Sequence, residues 1–354
     1  MLTVGVDAHK QVNSAVALDE RGRALGQWHG PNAPHGWQEL ARWAAGWDMP
    51  CQWGIEGAWN YGRGLAQHLV ADGTRVYEVN PRWTAQERRA ARPQAKNDRL
   101  DAQAVARLVW REGTALPQVQ GDDEASALDL LVTEREGALA EATRLRNQLH
   151  ALLMQLDPLY RTHVPCLQTQ AGLRCVLAYM TTSAVPLQQS RAASVRRTAE
   201  RLQLAERHAT ELAAEIAAHA QQRYAPLTRL CGINLLTAGT LAGILGPGHR
   251  FASEAQLAAY AVDSAPVEAS SAGQVRHRLN RGGNRHLNAI LYRIALTQAR
   301  HSPQARAYLA RRTAEGKTKR EALRALKRYL IRAIWRLWQE CLAVDTRLGP
   351  SAAA

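Results

Sequence analysis

Four acidic residues have types and positions suited to binding metal ions. Asp7 follows the apolar segment at residues 2–6, and Glu56 closes another apolar segment. Asp98 and Asp101 are three residues apart, which places both carboxylates on one face of a helix. Two aspartates at that spacing are frequent on exposed helices, so by themselves they are weak evidence for a metal site. Asp7 is the most informative of the four, because a carboxylate at the end of an apolar strand is energetically costly unless it pairs or binds a ligand. Carboxylate oxygens suit Mg²⁺ or Mn²⁺, and two such ions about 4 Å apart can assist phosphodiester cleavage.

The segments that must position these carboxylates form an α/β pattern. Strand patterns fall at residues 2–6, 12–18, 24–28, 51–56 and 75–79, and helix patterns at 35–45, 61–71, 81–91 and 98–110. A short meander of strands followed by alternating helices and strands predicts a mixed sheet. We therefore predict an α/β domain over residues 1–117.

The next region, residues 118–225, has the spacing of long helices. Apolar residues recur alternately every three and four positions from Leu128 to Leu156, with one polar interruption at Arg135, and again from Leu202 to Ile216. This heptad pattern predicts a helical, coiled-coil region. The two helices can pair within one chain or between two chains, and pairing between chains would give a homo-oligomer, a dimer or tetramer.

The last region, residues 226–354, is predicted to be mainly helical, with a polar loop at 264–284. Residues 271–354 contain 18 Lys and Arg against 4 Asp and Glu, so they carry the whole net charge of +14. A charge concentrated in this way attracts a polyanion, and this indicates nucleic acid as the partner. The candidate contacts with nucleic acid are Lys10, Arg276, Arg278, Arg281, Asn284 and Arg285.

Composition narrows the class of protein. No apolar stretch approaches the ~20 residues of a membrane span, and the first residues lack the pattern of a signal peptide. Five scattered cysteines form no CxxC pair, so neither a disulfide framework nor a cysteine zinc site is indicated. We expect a cytoplasmic protein, associated with the nucleoid, that needs no membrane.

The motifs taken in order resemble a known family. They are the strand ending in Asp7, the strand ending in Glu56-Gly57, Glu78-Val79-Asn80-Pro81, Lys96-Asn97-Asp98-Arg99-Leu100-Asp101, the Gly-rich stretch at 232–246, Ala265-Pro266-Val267 with Ser270-Ser271, and Arg281-Gly282-Gly283-Asn284. This set is similar to the DEDD-type transposases of bacterial insertion sequences. The resemblance implies a RuvC-like domain, of ribonuclease-H-like fold, followed by a coiled-coil region and a C-terminal domain.

The resemblance also implies a serine nucleophile in the C-terminal domain. The family setting is Ser-Gly a few residues after Ala-Pro, and the matching position is Ser271. Here Ala272 follows it where the family has glycine, so Ser270 remains an alternative. A serine hydroxyl that attacks DNA phosphorus keeps the strand as a phosphoserine and conserves the bond for rejoining.

The resemblance implies a transposase that cuts and rejoins donor and target DNA. It implies as partner a structured non-coding RNA that bridges the two DNAs, and an assembly in which carboxylates and serine come from different subunits. The first alternative is a RuvC-like junction resolvase, which needs the carboxylates but no serine. The second is a non-catalytic nucleic-acid-binding protein whose acidic residues are structural.

Overall fold

The structure is a computed structural model that describes residues 1–90, 97–179, 183–246, 250–261, 266–271, 274–279 and 283–348. The strands are β1 (Leu2–Ala8), β2 (Val12–Leu18), β3 (Ala24–Pro31), β4 (Cys51–Glu56), β5 (Arg75–Val79), β6 (Pro266–Ser271) and β7 (Gln274–Leu279). The helices are α1 (Pro34–Ala45), α2 (Arg63–Ala71), α3 (Pro81–Ala90), α4 (Asp98–Glu112), α5 (Glu124–Leu156), α6 (Gln170–Leu177), α7 (Pro186–Arg223), α8 (Leu235–Leu245), α9 (Glu254–Tyr260), α10 (Arg285–His301), α11 (Pro303–Ala314) and α12 (Lys319–Leu348).

The first five strands form one mixed sheet in the order β3-β2-β1-β4-β5. β2 runs antiparallel to β1 and β3, whereas β4 is parallel to β1 and β5 is parallel to β4. The parallel half needs crossover connections, and α1 and α2 supply them. The predicted α/β domain with a mixed sheet is confirmed.

The two faces of this sheet are covered differently. On one face, Val4, Val6 and Ile55 pack against α1 and α2 in an apolar cluster. The other face packs against α4, where Ala102 and Ala106 are fully buried. Because side chains alternate along a strand, the residues facing α4 are the odd-numbered ones of β1, including Asp7.

Packing divides the chain into two compact units. Unit 1 comprises residues 1–124 and 245–354, so it contains the five-stranded sheet and the basic C-terminal helices. Unit 2 comprises residues 125–244. The division of function at residues 117 and 225 remains a prediction.

In unit 2, the two long helices pair within the chain. Arg201 forms an ion pair with Glu141 at 3.4 Å, and Arg146 forms another with Glu206. All the heptad positions predicted on α7 are buried, as are Leu128, Ala142, Leu145 and Leu149 on α5. Of the two pairings that the heptad pattern allows, the structure shows the intramolecular one.

The predicted loop at 264–284 is wrong over two segments. There the chain forms an antiparallel ribbon, with Pro266 opposite Leu279 and Ser271 opposite Gln274. Its strands are short and rich in polar residues, so sequence alternation gives little signal, and the pairing of one strand with the other determines the structure. None of the described helices is both long and apolar enough to cross a membrane.

Candidate active site

The carboxylates predicted at strand ends lie side by side. β1 and β4 are parallel neighbours, and their register places Asp7 directly opposite Glu56. Neighbouring strands are about 4.8 Å apart, so the two residues occupy adjacent positions at the same edge of the sheet. The same register places Gly5 opposite Gly54, two residues earlier on each strand.

This pair of glycines lets α4 pack directly on the sheet. A Cβ atom at Gly5 would lie 2.1 Å from the backbone nitrogen of Ala106, and one at Gly54 would lie 2.2 Å from Cγ2 of Val109. Only glycine fits at such close approach of a helix to a strand. Since Gly5 and Asp7 share a face, the contact brings the first turn of α4 toward Asp7.

The first turn of α4 carries both predicted aspartates. The Asn97 side chain caps the helix by accepting a hydrogen bond from the backbone N–H of Arg99, which is a favoured arrangement at a helix start. Asp98 and Asp101 follow in the first turn, where the positive end of the helix dipole stabilises negative charge. Asp98 is half-buried, with a side chain 48% exposed, whereas Asp101 is buried with 6% exposure.

Asp7, His9 and Asp98 form a cluster that could hold a cation. His9 Nε2 lies 3.2 Å from Asp7 Oδ2 and 3.6 Å from Asp98 Oδ1. One potential ligand atom from each residue lies within 4.8 Å of the others. Asp7 Oδ2 is buried, and apart from its contact with His9 it has no hydrogen-bond partner among the described residues. A buried carboxylate oxygen beside two further potential ligands fits a bound divalent cation.

Electrostatics at the site also favour a cation. Burial raises the pKa of the Asp7 carboxyl above its ordinary value; His9 opposes this shift, and the charges of Asp101 and Asp98 add to it. Three acidic groups close enough to repel one another are destabilising without positive charge between them. A divalent ion would remove that repulsion.

His9 is a candidate ligand that the sequence did not single out. A hydrogen-bond network around Asn32 fixes its backbone: Asn32 Nδ2 donates to the carbonyls of His9, at 2.8 Å, and Tyr61, at 2.9 Å. The Asn32 Oδ1 atom accepts a hydrogen bond from Trp37 Nε1 at 2.7 Å. Asn32 therefore ties the segment after Asp7 to the segment after Glu56. An asparagine two residues before a proline indicates a turn, but not these partners.

Two family models match the chain. A model for DEDD transposases of the IS110 type, described as a transposase, matches residues 4–158. A second, described as transposase of the IS116/IS110/IS902 family, matches residues 224–310. The chain belongs to the IS110 family of DEDD-type transposases. Together the two matches span more than half of the chain.

A curated relative agrees with this assignment. The protein described as "Insertion element IS110 uncharacterized 43.6 kDa protein" of Streptomyces coelicolor is 28% identical over 303 residues, covering 72% of this chain and 73% of the relative.

Solved structures similar to this chain include two of RuvC from Thermus thermophilus. One is RuvC in complex with a Holliday junction substrate, with 14% identity and a TM-score of 0.27, and the other is RuvC described without a substrate, with 15% identity and a TM-score of 0.28. Each covers 34% of this chain, and the match spans 99% and 100% of the RuvC chains. The description of the fold as a mixed α/β sheet follows from the order and register of its five strands.

The predicted nucleophile of this IS110-family protein lies on the β6–β7 hairpin. Ser271 is the last residue of β6 and pairs with Gln274, while Ser270 pairs with Val275. Only two residues connect the strands after Ser271. The backbone thus places both candidate serines next to the tip of the ribbon.

The residues of the transposase that are predicted to contact nucleic acid lie on different parts of the fold. Arg276 and Arg278 lie on β7, and Arg281 lies outside the described residues. Lys10 and Arg285 are exposed. Asn284 caps α10 by accepting a hydrogen bond from Leu287 N–H. The Asn284 amide is therefore engaged within the fold, which the sequence did not indicate.

Proposed function

We propose that this transposase cuts and rejoins DNA with Asp7, Glu56, Asp98 and Asp101 as ligands for Mg²⁺ or Mn²⁺, and with Ser271 as nucleophile. The observation that carries the proposal is the register that sets Asp7 opposite Glu56 on the face covered by α4. Bound divalent ions would supply Lewis-acid stabilisation of charge on the phosphate oxygens. His9 is a further candidate ligand at the same place.

The serine step requires no external energy source. The Ser271 oxygen bonds to phosphorus, the bond from phosphorus to the leaving deoxyribose oxygen breaks, and the proton lost by serine is balanced by one gained on that leaving oxygen, which becomes a hydroxyl. Attack on the phosphoserine by a deoxyribose hydroxyl reverses these changes, releases serine and joins the new strands. A covalent intermediate conserves the phosphodiester bond in this way.

Partners follow from charge and from the family resemblance. The excess of 14 positive charges in residues 271–354 supports binding to donor and target DNA and to a structured guide RNA. Base pairing by such an RNA would supply sequence choice, and we expect the protein to work at the nucleoid. Because the long helices of unit 2 pair within the chain, a homo-oligomer would form through other surfaces or through exchange of these helices.

Trapping the covalent complex between protein and DNA tests whether Ser271 is the nucleophile. The purified protein is incubated with labelled DNA carrying the sequences that flank its gene, RNA transcribed from those sequences, and Mg²⁺. We expect an adduct at Ser271 that is absent from the Ser271→Ala variant. A peptide map with the label at Ser270 would move the assignment by one residue. Strand exchange by the double variant lacking both serines would replace the serine mechanism with attack by water, as in a junction resolvase.

A further inference from the structure

A row of four polar side chains crosses the five-stranded sheet at the carboxylate site. The strand register places Glu56 on β4 opposite Asp7 on β1, Asp7 opposite Ser14 on β2, and Ser14 opposite His29 on β3. Residues directly opposite one another project from the same face of a sheet, so all four lie on the face against which α4 packs. The carboxylate site therefore continues across two more strands, as far as the edge strand β3.

Ser14 holds the ring of His29 in place. Ser14 is buried, with 5% exposure, and its Oγ atom lies 2.9 Å from Nδ1 of His29. When the hydroxyl donates to Nδ1, the neutral imidazole carries its proton on Nε2, and in the protonated ring both nitrogens carry one. In both of these forms Nε2 of His29 is a hydrogen-bond donor whose direction is fixed by the bond at Nδ1.

His29 borders a groove beside the carboxylates. The His29 side chain is exposed, and the groove has a volume of about 500 Å³. Its lining includes Ser14 and His29 on the sheet and Asn97, Asp98 and Arg99 at the start of α4. Asp98 also belongs to the cluster that could hold a cation. The groove and the candidate metal site therefore share a wall.

The polar groups of the groove suit a phosphodiester. His29 on the sheet and Arg99 on α4 both line it, and both are exposed. Hydrogen bonds from arginine and histidine to phosphate oxygens are charge-assisted and stronger than bonds between neutral groups. Contacts of this kind fix the position of a nucleic-acid strand without reading its sequence. The groove thus offers the chemistry for holding a strand that continues away from the carboxylates.

The spacing of the row also suits one strand of DNA. Neighbouring β-strands are about 4.8 Å apart, so the backbone of His29, two strands away, lies about 10 Å from that of Asp7. Because the His29 ring bonds to Ser14 on the strand between them, its donor lies nearer to Asp7 than the backbone does. The remaining gap is on the scale of one nucleotide.

We propose that His29 binds the phosphate next to the scissile one in the DNA strand held at Asp7 and Asp98, and that Ser14 is the positioning residue for the His29 ring. The ligand is a phosphodiester of DNA, and no base is read. The inference rests on the proposed function of the carboxylates. It holds whichever subunit supplies the serine, because His29 and Asp7 belong to the same sheet.

Neutralising single phosphates tests this contact. Each DNA carries one uncharged methylphosphonate, moved position by position across the junction between the element and its flanking sequence. Affinity for the full-length protein is measured by fluorescence anisotropy with the guide RNA present and with Ca²⁺, which takes the same oxygen ligands as Mg²⁺, to limit strand exchange. We expect wild-type affinity to fall about 10-fold at the phosphate that His29 contacts, because hydrogen bonds to charged groups are the strong ones.

Variants of the histidine identify the side chain responsible. His29→Ala should bind unmodified DNA about 10-fold more weakly and should lose no further affinity at the phosphate that matters for wild type, because the two changes remove the same contact. His29→Gln should recover most of the affinity, since its amide N–H can replace Nε2. Ser14→Ala should give an intermediate loss. His35→Ala, at an exposed histidine of α1 on the other face, is the matched control.

Kinetics separate a phosphate contact from general damage to the site. With Mg²⁺ at saturating DNA, adduct formation by His29→Ala should stay within about 3-fold of the wild-type rate, while the DNA concentration for half-maximal rate rises about 10-fold, as for loss of uniform binding. Wild-type affinity in His29→Ala, or the same methylphosphonate losses in His29→Ala as in wild type, would overturn the proposal. A lower saturated rate with unchanged affinity would also overturn it.

Two further results distinguish this inference from the proposed function. A methylphosphonate effect that depends on His29, with no adduct or cleavage in Mg²⁺, would support the phosphate contact and contradict the proposed chemistry. Normal adduct formation with no such dependence would refute the contact alone. Weaker binding of the guide RNA by His29→Ala, with the effects of DNA methylphosphonates unchanged, would assign His29 to the RNA and overturn the proposal.

Discussion

The proposed carboxylate site and the β6–β7 hairpin, which bears the proposed nucleophile, are held in place in different ways. Asp7 and Glu56 belong to central strands of a five-stranded sheet, and a helix packs directly against the glycines beside them. Among the described strands, β6 and β7 pair only with each other. Tyr260 and Asn284, on either side of the hairpin, bond to one another, and Tyr260 also bonds to Arg250, which pairs with Glu78 on β5. Carboxylates that share ions, as we propose, would need constant separations, which a buried sheet provides. The proposed nucleophile, which would hold and release DNA strands, would need a defined but separate support.

The largest expected effect comes from removing charge at the rigid site. Asp7→Asn keeps the shape of the side chain but removes a ligand charge, so we expect strand cleavage to fall by at least about 1,000-fold. The measurement is single-turnover cleavage of labelled DNA with Mg²⁺. Asp48→Asn is the control, because Asp48 is exposed and its φ of +48° suits asparagine equally. Cleavage by Asp7→Asn at near wild-type rates would remove Asp7 from the proposed metal site.

The next effect tests the support of that site. Gly5→Ala places a methyl group against the backbone of α4, which cannot move without separating helix from sheet. We expect the free energy of unfolding to fall by about 2–4 kcal/mol, measured by urea denaturation. Gly137→Ala in α5 meets nothing within 4 Å and should raise stability by up to about 1 kcal/mol. Equal responses at the two positions would contradict direct packing of α4 on β1.

A smaller effect concerns how far the ionised Asp7 lowers the stability of the fold when the site holds no metal ion. Because burial raises the pKa of Asp7, its ionised form destabilises the fold. This destabilisation is absent below the ordinary pKa of 3.8 and complete above the raised one. Metal-free Asp7→Asn should therefore melt a few degrees above wild type at pH 7, and the difference should vanish toward pH 4. Saturating Mg²⁺ should raise the melting temperature of wild type only.

The smallest effect concerns the basic region that contains the hairpin. Lys317, Lys319 and Arg320 are exposed, so replacing all three by glutamine should weaken nucleic-acid binding without unfolding. The slope of log affinity against log salt should become shallower by about 0.9 for each phosphate that the variant no longer neutralises. Fluorescence anisotropy at several salt concentrations measures this slope.

The control for that prediction lies in unit 2. The corresponding glutamine replacements are made at three exposed arginines of unit 2: Arg174, Arg197 and Arg207. Residues 1–270 carry no net charge, so we expect a smaller change in slope. A larger change from these three would place the main nucleic-acid contact on unit 2.

The sequence predicted the structure best where the strands are buried and regular. The pattern around Asp7 and Glu56 predicted two strands ending in carboxylates, because apolar alternation directly reflects burial. It could not predict the register that sets Asp7 opposite Glu56. It also did not predict His9 as a candidate ligand, because the contact between His9 and Asp98 joins residues far apart in sequence.

It failed where structure depends on contacts distant in sequence. The β6–β7 hairpin was predicted as a loop, because its polar strands show little alternation and only pairing defines them. The contact between Arg250 and Glu78 joins residues 172 positions apart, and the sequence around either residue does not indicate the other as its partner. Asn284 remains a predicted contact with nucleic acid, but the sequence did not indicate that its side chain also caps a helix and bonds to Tyr260.

The register of β1 and β4 also determines where this gene can tolerate insertions. Gly5 and Asp7 must face the same side, opposite Gly54 and Glu56. One extra residue within either strand would turn every later side chain to the other face, placing the acids in the apolar layer and bulky residues beneath α4. The turn at residues 19–22 lies outside both strands, and its Glu20 and Arg21 are exposed, so an epitope tag inserted between these two residues should be accepted. In-frame additions within residues 3–7 or 52–56 should yield no active recombinase, however conservative the added residue.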